Sequence, residues 1–260
     1  MDLGLRERAC VVTGASQGIG LAVSERLVAE GARVLMVARD AARLRDAAAA
    51  VGAAWLAADV TAPDADERVV ATAVERLGGL DVLVNNAGTS SNTPLDDLTD
   101  DDYRAQHELS VMAPMRLMRR AAPLMAVRGW GRIVNVSSSS GKRPGQSNVA
   151  YSVAKAGQLS LSRAFADAYA ARGVLVNAVT PGPTATGLWT GAGGLADQAA
   201  AAKGTTRDEA LAAAAAKVPL GRLGTPEEIA DVVVFLCSER AGNVAGAAWS
   251  ADGGTVNVII

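Results

Sequence analysis

The 260-residue sequence contains two cysteines and one histidine. Cys10 and Cys237 stand far apart in apolar surroundings, with no CxxC and no Cys/His cluster. This excludes a disulfide framework and a structural zinc site, and leaves both thiols as small buried hydrophobes. Charge of one sign is also lacking: 25 Lys and Arg oppose 27 Asp and Glu, a formal net charge of −2. There is no basic footprint for nucleic acid and no field strong enough for long-range steering. No stretch approaches the length of a charge-free membrane-spanning helix. The start, MDLGLRERACVV, has no long apolar run after a basic segment, so no signal peptide is expected. The expectation is a soluble cytoplasmic protein with no metal, nucleic-acid or membrane partner.

What is present is apolar and alternating. Half of the residues are hydrophobic, enough for a large core. Short β-branched runs at 9–13, 33–38, 55–58, 81–85, 132–137, 174–180 and 247–251 read as buried strands. Longer alanine-rich amphipathic stretches separate them. Ile19, Val23, Leu27 and Val28, for example, mark one face of a helix over 18–30. Strand–helix alternation predicts an α/β fold, a parallel sheet with helices on both faces and right-handed crossovers. The length suits a single domain over residues 1–260.

Residues 182–224 break the rhythm. They are rich in Gly, Ala and Thr and carry no convincing strand. Thr206-x-x-Glu209 forms a capping box before the run at 210–216, so the insertion holds at least one small helix. A further helix starts at Thr225-Pro226-Glu227-Glu228, with Thr225 as N-cap, Pro226 at the first helical position and Glu228 as capping partner. Long excursions after a strand's carboxyl end often cover a site, and 187–217 is expected to be a substrate lid.

The first strand runs into TGASQGIG at 13–20. Gly14 permits a tight turn, Gly18 admits a pyrophosphate close to the backbone, and Gly20 lets helix and strand pack closely. The helix N-terminus adds N–H groups and a positive dipole end. At the end of the second strand, where an acid would bind the ribose of NAD, Ala38 is followed by Arg39. An arginine there suits a 2′-phosphate, unless it only pairs with Asp40 at a helix start. Gln17 adds no second cation. NADP(H) is favoured, with NAD(H) as the alternative.

TGASQGIG, NNAG at 85–88 and YSVAK at 151–155 together resemble the classical short-chain dehydrogenase/reductase family, in a manner close to its 3-oxoacyl-carrier-protein reductases. The resemblance spans the chain through Asp59-Val60, Ser137-Ser138, Pro181-Gly182 and Asp252-Gly253-Gly254. It implies one doubly wound Rossmann domain with a seven-stranded parallel sheet and a site at the strands' carboxyl ends. It implies that Tyr151 is the acid/base, that Lys155 lowers its pKa and bonds the nicotinamide ribose, and that Ser138 holds the substrate oxygen. Hydride would pass between nicotinamide and a carbonyl carbon while Tyr151 exchanges a proton with the oxygen. Ser138 is chosen among Ser137, Ser138, Ser139 and Ser140 by its spacing from Tyr151. The implied cofactor contacts are Gly14, Ser16, Gln17, Gly18, Ile19, Gly20, Arg39, Asp59, Val60, Asn86, Ala87, Gly88, Tyr151, Lys155, Pro181, Gly182, Thr184 and Thr186. Asp59 would contact adenine or else cap a helix. Thr184 would act through its backbone, and the asparagines of NNAG would also brace the sheet.

One position departs from the family. Its asparagine between NNAG and the serine strand, which holds a proton-relay water, aligns with Ser110 in QHELSVMAP. Ser110 either keeps a catalytic role with an extra water or simply packs in a helix. His107 is given none. Ser140 and Trp189 are candidate substrate contacts. A 3-oxoacyl thioester is a reasonable substrate. A basic landing patch for an acidic carrier would draw on Arg116, Arg119, Arg120, Arg128 or Arg172, each of which alternatively lies on a solvated helix face. The alternatives are an NAD-dependent sugar, steroid or polyol dehydrogenase of the same fold, or a dinucleotide-binding regulatory protein of reduced activity. Relatives of this type suggest a homotetramer. Ala154, Gly157 and Ser160 would pack against a copy of the same helix, and the apolar end at 256–260 would be covered in an interface.

Overall fold

The computed structural model describes residues 2–90 and 92–257. Seven strands form one sheet: β1 (Ala9–Thr13), β2 (Arg33–Ala38), β3 (Ala54–Ala57), β4 (Val82–Asn85), β5 (Gly131–Val136), β6 (Val174–Pro181) and β7 (Ala248–Ala251). The order is β3-β2-β1-β4-β5-β6-β7, and every pairing is parallel. Each strand lies within a residue or so of its expected place. β1 is buried at every position because β2 and β4 flank it and helices cover both faces. Val12 pairs with Met36 on one side and Val84 on the other.

The helices are α1 (Gly18–Ala29), α2 (Ala41–Val51), α3 (Ala65–Leu77), α4 (Asp100–His107), α5 (Ala113–Val127), α6 (Val149–Tyr169), α7 (Gly187–Thr190), α8 (Leu195–Lys203), α9 (Arg207–Ala215) and α10 (Pro226–Cys237). One face of the sheet carries α1, α2 and α10 around Leu27, Met36, Leu44 and Leu236. The other carries α3, α5 and α6 around Leu83, Leu117, Met118 and Ile133. Val23 and Leu27 are fully buried, and Ile19 and Val28 pack on the same cluster, as the helical period predicts. Cys10 and Cys237 are free thiols that share this cluster despite their distance in sequence. Burial raises both pKa values, that of Cys237 to about 12.

Both capping boxes form, Thr206 with Glu209 and Thr225 with Glu228, and Pro226 opens α10. The excursion holds three helices where one was required, α7 to α9. A parallel bridge, Thr184 to Gly224, closes its base. The sheet order reverses between β1 and β4, and a crevice outside the carboxyl ends of the strands follows from that reversal.

The expected interface face of α6 is corrected. Ala154 is buried in its own protomer, and a Cβ on Gly157 would lie 3.3 Å from Val111 Cγ2. Only Ser160 of the three is exposed, beside Val153, Ala156 and Ala164. A spacing of three residues from 154 leads across the core-facing stripe, because the sheet sits on that side. Of the apolar end, 258–260 lies outside the described residues.

Candidate active site

The turn from β1 to α1 leaves no room for a side chain at Gly14 or Gly20. Gly14 has φ +65°, and a Cβ there would meet Ala87 Cα at 2.8 Å. A Cβ on Gly20 would collide with the Gly14 carbonyl oxygen. The NNAG segment is stitched to this turn. Asn86 Nδ2 donates to the carbonyls of Thr13 and Gly14 at 2.9 and 3.1 Å, and Thr13 Oγ1 accepts from the N–H groups of Asn86 and Ala87 at 3.0 and 3.1 Å. Asn85 Nδ2 reaches across the sheet to Asn135 Oδ1 at 2.8 Å. Gln17, the N-cap of α1, makes no side-chain cap, and the first turn carries no acid. The free N–H groups at this helix start therefore suit an anion, and the glycine cradle fits a pyrophosphate.

At the end of β2, the Arg39 guanidinium lies 4.0 Å from Asp59 and is largely exposed. Asp40 is instead the N-cap of α2 and lies 3.7 Å from Arg43. Arg43 donates to Gln17 Oε1 at 2.7 Å. A second cation thus stands beside the glycine loop, missed because it sits one helical turn beyond Asp40. The signal was available: the third helical position after a strand points back toward that strand's end. Asp59 caps no helix; it accepts from the Thr61 N–H and hydroxyl, which lower its pKa.

The corner expected to carry the chemistry joins β5 to α6. Ser137 Oγ donates to the Lys155 carbonyl at 3.0 Å and braces the helix. Ser138 instead lines the cleft with Tyr151, and its hydroxyl favours the phenolate. It also accepts from the Ser140 N–H at 3.1 Å. Burial raises the Tyr151 pKa and the Ser138 hydroxyl opposes that rise. The lowering expected from Lys155 does not dominate in the chain by itself. The ammonium lies 5.7 Å from the ring centroid, and its own pKa falls to about 7 through burial. Lys155 Nζ donates to the Val136 carbonyl at 2.8 Å and to Gln158 Oε1 at 3.1 Å.

A cleft of about 720 Å³ joins these parts. Every expected cofactor contact lines it except Gly20, which lies behind the turn. Ser138, Ser140, Tyr151, Lys155 and Trp189 line it as well. Ser110 does not; it is fully buried behind Leu109, in a π turn over Glu108–Met112. Leu188, Trp189 and Leu195 bring the excursion over the cleft. Gln198 Oε1 accepts from the Asn92 N–H at 2.9 Å, tying α8 to the segment after β4. Thr184 Oγ1 donates to the Gly182 carbonyl at 2.9 Å, and its own carbonyl accepts from the Thr186 N–H at 2.7 Å. A Cβ on Gly182 would lie 2.8 Å from Asp252 Cα, so the two motifs meet in space.

The arginines proposed for a landing patch are mostly engaged. Arg116 pairs with Glu108, Arg120 with Asp66 at 2.8 Å, and Arg128 with Asp81 at 3.1 Å. Arg172 lies over the Tyr169 ring. His107 is exposed at the end of α4. Among the described residues, no helix is long and apolar enough to cross a membrane.

A family model described as enoyl-(acyl carrier protein) reductase matches residues 14–256. Galactitol 2-dehydrogenase of Agrobacterium fabrum is 33% identical over 254 residues, covering 96% of this chain and 98% of that protein. Cis-4-hydroxycyclohexanecarboxylate dehydrogenase of Sinomonas cyclohexanicum is 38% identical over 261 residues, covering 98% of each. Among solved structures, L-sorbose reductase from Gluconobacter frateurii, complexed with NADPH and L-sorbose, superposes with a TM-score of 0.92 at 36% identity and full coverage of both chains.

Proposed function

The chain belongs to the classical short-chain dehydrogenase/reductase family and is an NAD(P)-dependent oxidoreductase of alcohol and carbonyl groups; on that premise we propose that it uses NADP(H) and a small uncharged ketone or secondary alcohol. The observation that carries this reading is the Ser138–Tyr151–Lys155 corner, which opens on a cleft end lined by Leu109, Asn148, Leu188, Trp189 and Leu195, all neutral. No carboxylate or guanidinium there demands a charged substrate. Arg39 and Arg43 at the far end supply the two cations for a 2′-phosphate. The NADPH complex of L-sorbose reductase supports the same cofactor.

A bound nicotinamide supplies the hydride. The residues do the rest. The glycine cradle and the α1 start hold the diphosphate, and Gly182, Thr184 and Thr186 hold the carboxamide end. The Ser138 hydroxyl fixes the substrate oxygen. Tyr151 donates its phenolic proton to that oxygen in reduction and recovers it in oxidation. Lys155 supports the phenolate form. Residues 187–217 act as the lid that excludes water, within a single domain spanning 1–260. A cytoplasmic homotetramer, seated in part on the exposed Val153–Ser160 side of α6, belongs to this reading.

The test is a panel of ketoses, cyclic ketones and acetoacetyl-CoA, each assayed with NADPH and NADH. Turnover of a ketose or cyclic ketone with NADPH is expected. A second reading, a 3-oxoacyl thioester, is favoured by the acyl-carrier description of the matching family model. Preferential reduction of acetoacetyl-CoA would establish it, against the ion-paired arginines. Light scattering tests the tetramer; a monomeric mass would remove it.

A further inference from the structure

Lys155 is 2% exposed and has three N–H donors. Two are taken, by Val136 and by Gln158. The acceptors are a backbone carbonyl and a side-chain amide, both neutral. Lys155 also lines the cleft, so the third donor is available there. Its shift to about 7 has burial as its cause. Tyr151 is the titratable group beside it on α6. β5 offers it the Val136 carbonyl, and Glu108, at the head of the π turn, is held by Arg116.

Gln158 is fully buried, one turn along α6 from Lys155. Its amide oxygen must face the ammonium, because its nitrogen there would set donor against donor. The Nε2 group therefore points away, and it has no partner. Ser110 Oγ is likewise buried and without a partner. The two residues stand on touching segments, since Gly157 beside Gln158 packs on Val111 beside Ser110. A buried amide with half of its groups unmet is costly, and Leu or Met would fill the same space without that cost. A π turn in a helical run also often marks a functional site. The buried glutamine and the π-turn serine thus each carry an unmet polar group on elements that pack together.

We propose that Gln158 is the positioning residue of Lys155: its amide oxygen holds the ammonium beside Tyr151, and its amide nitrogen, with the Ser110 hydroxyl, binds the water that returns a proton to the lysine. This rests on the Tyr151–Lys155 reading above. In reduction the substrate oxygen takes the Tyr151 proton, and the phenolate regains one from the Lys155 ammonium. The resulting amine takes one from the bound water, which is replenished from solvent. Each step moves one proton and no electrons. The amide that the family places in the helix at position 110 is, in this chain, supplied from α6.

The proposal is tested first without cofactor or substrate, by following the Lys155 ¹³Cε resonance against pH in lysine-labelled protein. Lys142, Lys203 and Lys217 are the other lysines, so the spectrum is simple. Gln158→Met should lower the Lys155 midpoint by about one pH unit, through loss of a charge-assisted acceptor. Gln158→Glu should raise it, and serves if the methionine variant does not fold. In turnover, Gln158→Met should lower kcat by roughly 10- to 100-fold and displace its pH profile, with the KM for NADPH nearly unchanged. Adding Ser110→Asn should recover most of that loss, because an amide then stands on the other side of the same water. An unmoved Lys155 midpoint in both Gln158 variants overturns the proposal. So does a kcat loss that Ser110→Asn leaves unrepaired. A wild-type protein that turns over no carbonyl would defeat the proposed function, yet would leave the resonance measurement to judge Gln158.

Discussion

At Tyr151 burial and hydrogen bonding pull in opposite directions. Burial favours the neutral phenol, and the Ser138 hydroxyl favours the phenolate. Tyr151→Phe keeps the volume and the apolar contacts but removes the proton. Turnover should fall by about 10³-fold or more, while NADPH binding, followed by nicotinamide fluorescence, stays near wild type. Unchanged turnover would sink the proposed mechanism. At the other end of the cleft, Arg43 is held at 2.7 Å from Gln17 and is ready to meet a phosphate. Arg43→Ala should raise the KM for NADPH by roughly tenfold or more and leave that for NADH nearly unchanged. Equal losses with both cofactors would mean that Arg43 only braces the glycine loop.

At the scale of elements, caps and clasps set what is rigid. α10 starts with a complete capping box and packs on α1 behind the glycine turn. Thr225→Ala should cost about 1 kcal/mol in urea unfolding, with little change in kcat. The excursion proposed as a lid is held differently. Gln198 ties α8 to Asn92, and Ser147 Oγ donates to Asn92 Oδ1 at 3.1 Å. Gln198→Ala should free the lid, raise the substrate KM several-fold and leave the melting temperature nearly unchanged. A substrate KM equal to wild type would show that the clasp does not govern entry.

At the scale of the whole molecule, the buried lysine couples folding to pH. Its folded pKa of about 7 lies below the unfolded value of about 10.4. Between these values the unfolded chain holds the proton and the folded chain does not, so stability rises with pH. The contribution is complete above the unfolded pKa and is lost as pH falls through about 7. In the cofactor-free protein this adds a slope of up to about 1.4 kcal/mol per pH unit above neutrality. Lys155→Met should abolish that slope between pH 7 and 8.5. Urea unfolding across this window measures it, and identical slopes in the two proteins would rule it out. The thiols of Cys10 and Cys237 and the Tyr151 phenol, all raised by burial, act with the opposite sign at higher pH.

Strand order along the chain, the glycine turn, the Thr206 and Thr225 caps and the Tyr151–Lys155 spacing were legible from sequence alone. Each is a local signal, carried by a repeat of two or three to four residues or by a conformation that few residue types adopt. The tertiary structure decided what depends on segments distant in sequence. It separated Ser137, turned to the Lys155 carbonyl, from Ser138, turned to Tyr151. It set Arg43 against Gln17, and it turned Ala154 inward where the sequence suggested an outer face. It also brought Gln158 under Lys155 and the π turn that carries Ser110 against the same helix. Helical spacing says which residues share a face, but the packing of one element on another says which face meets the core and which buried polar groups find each other.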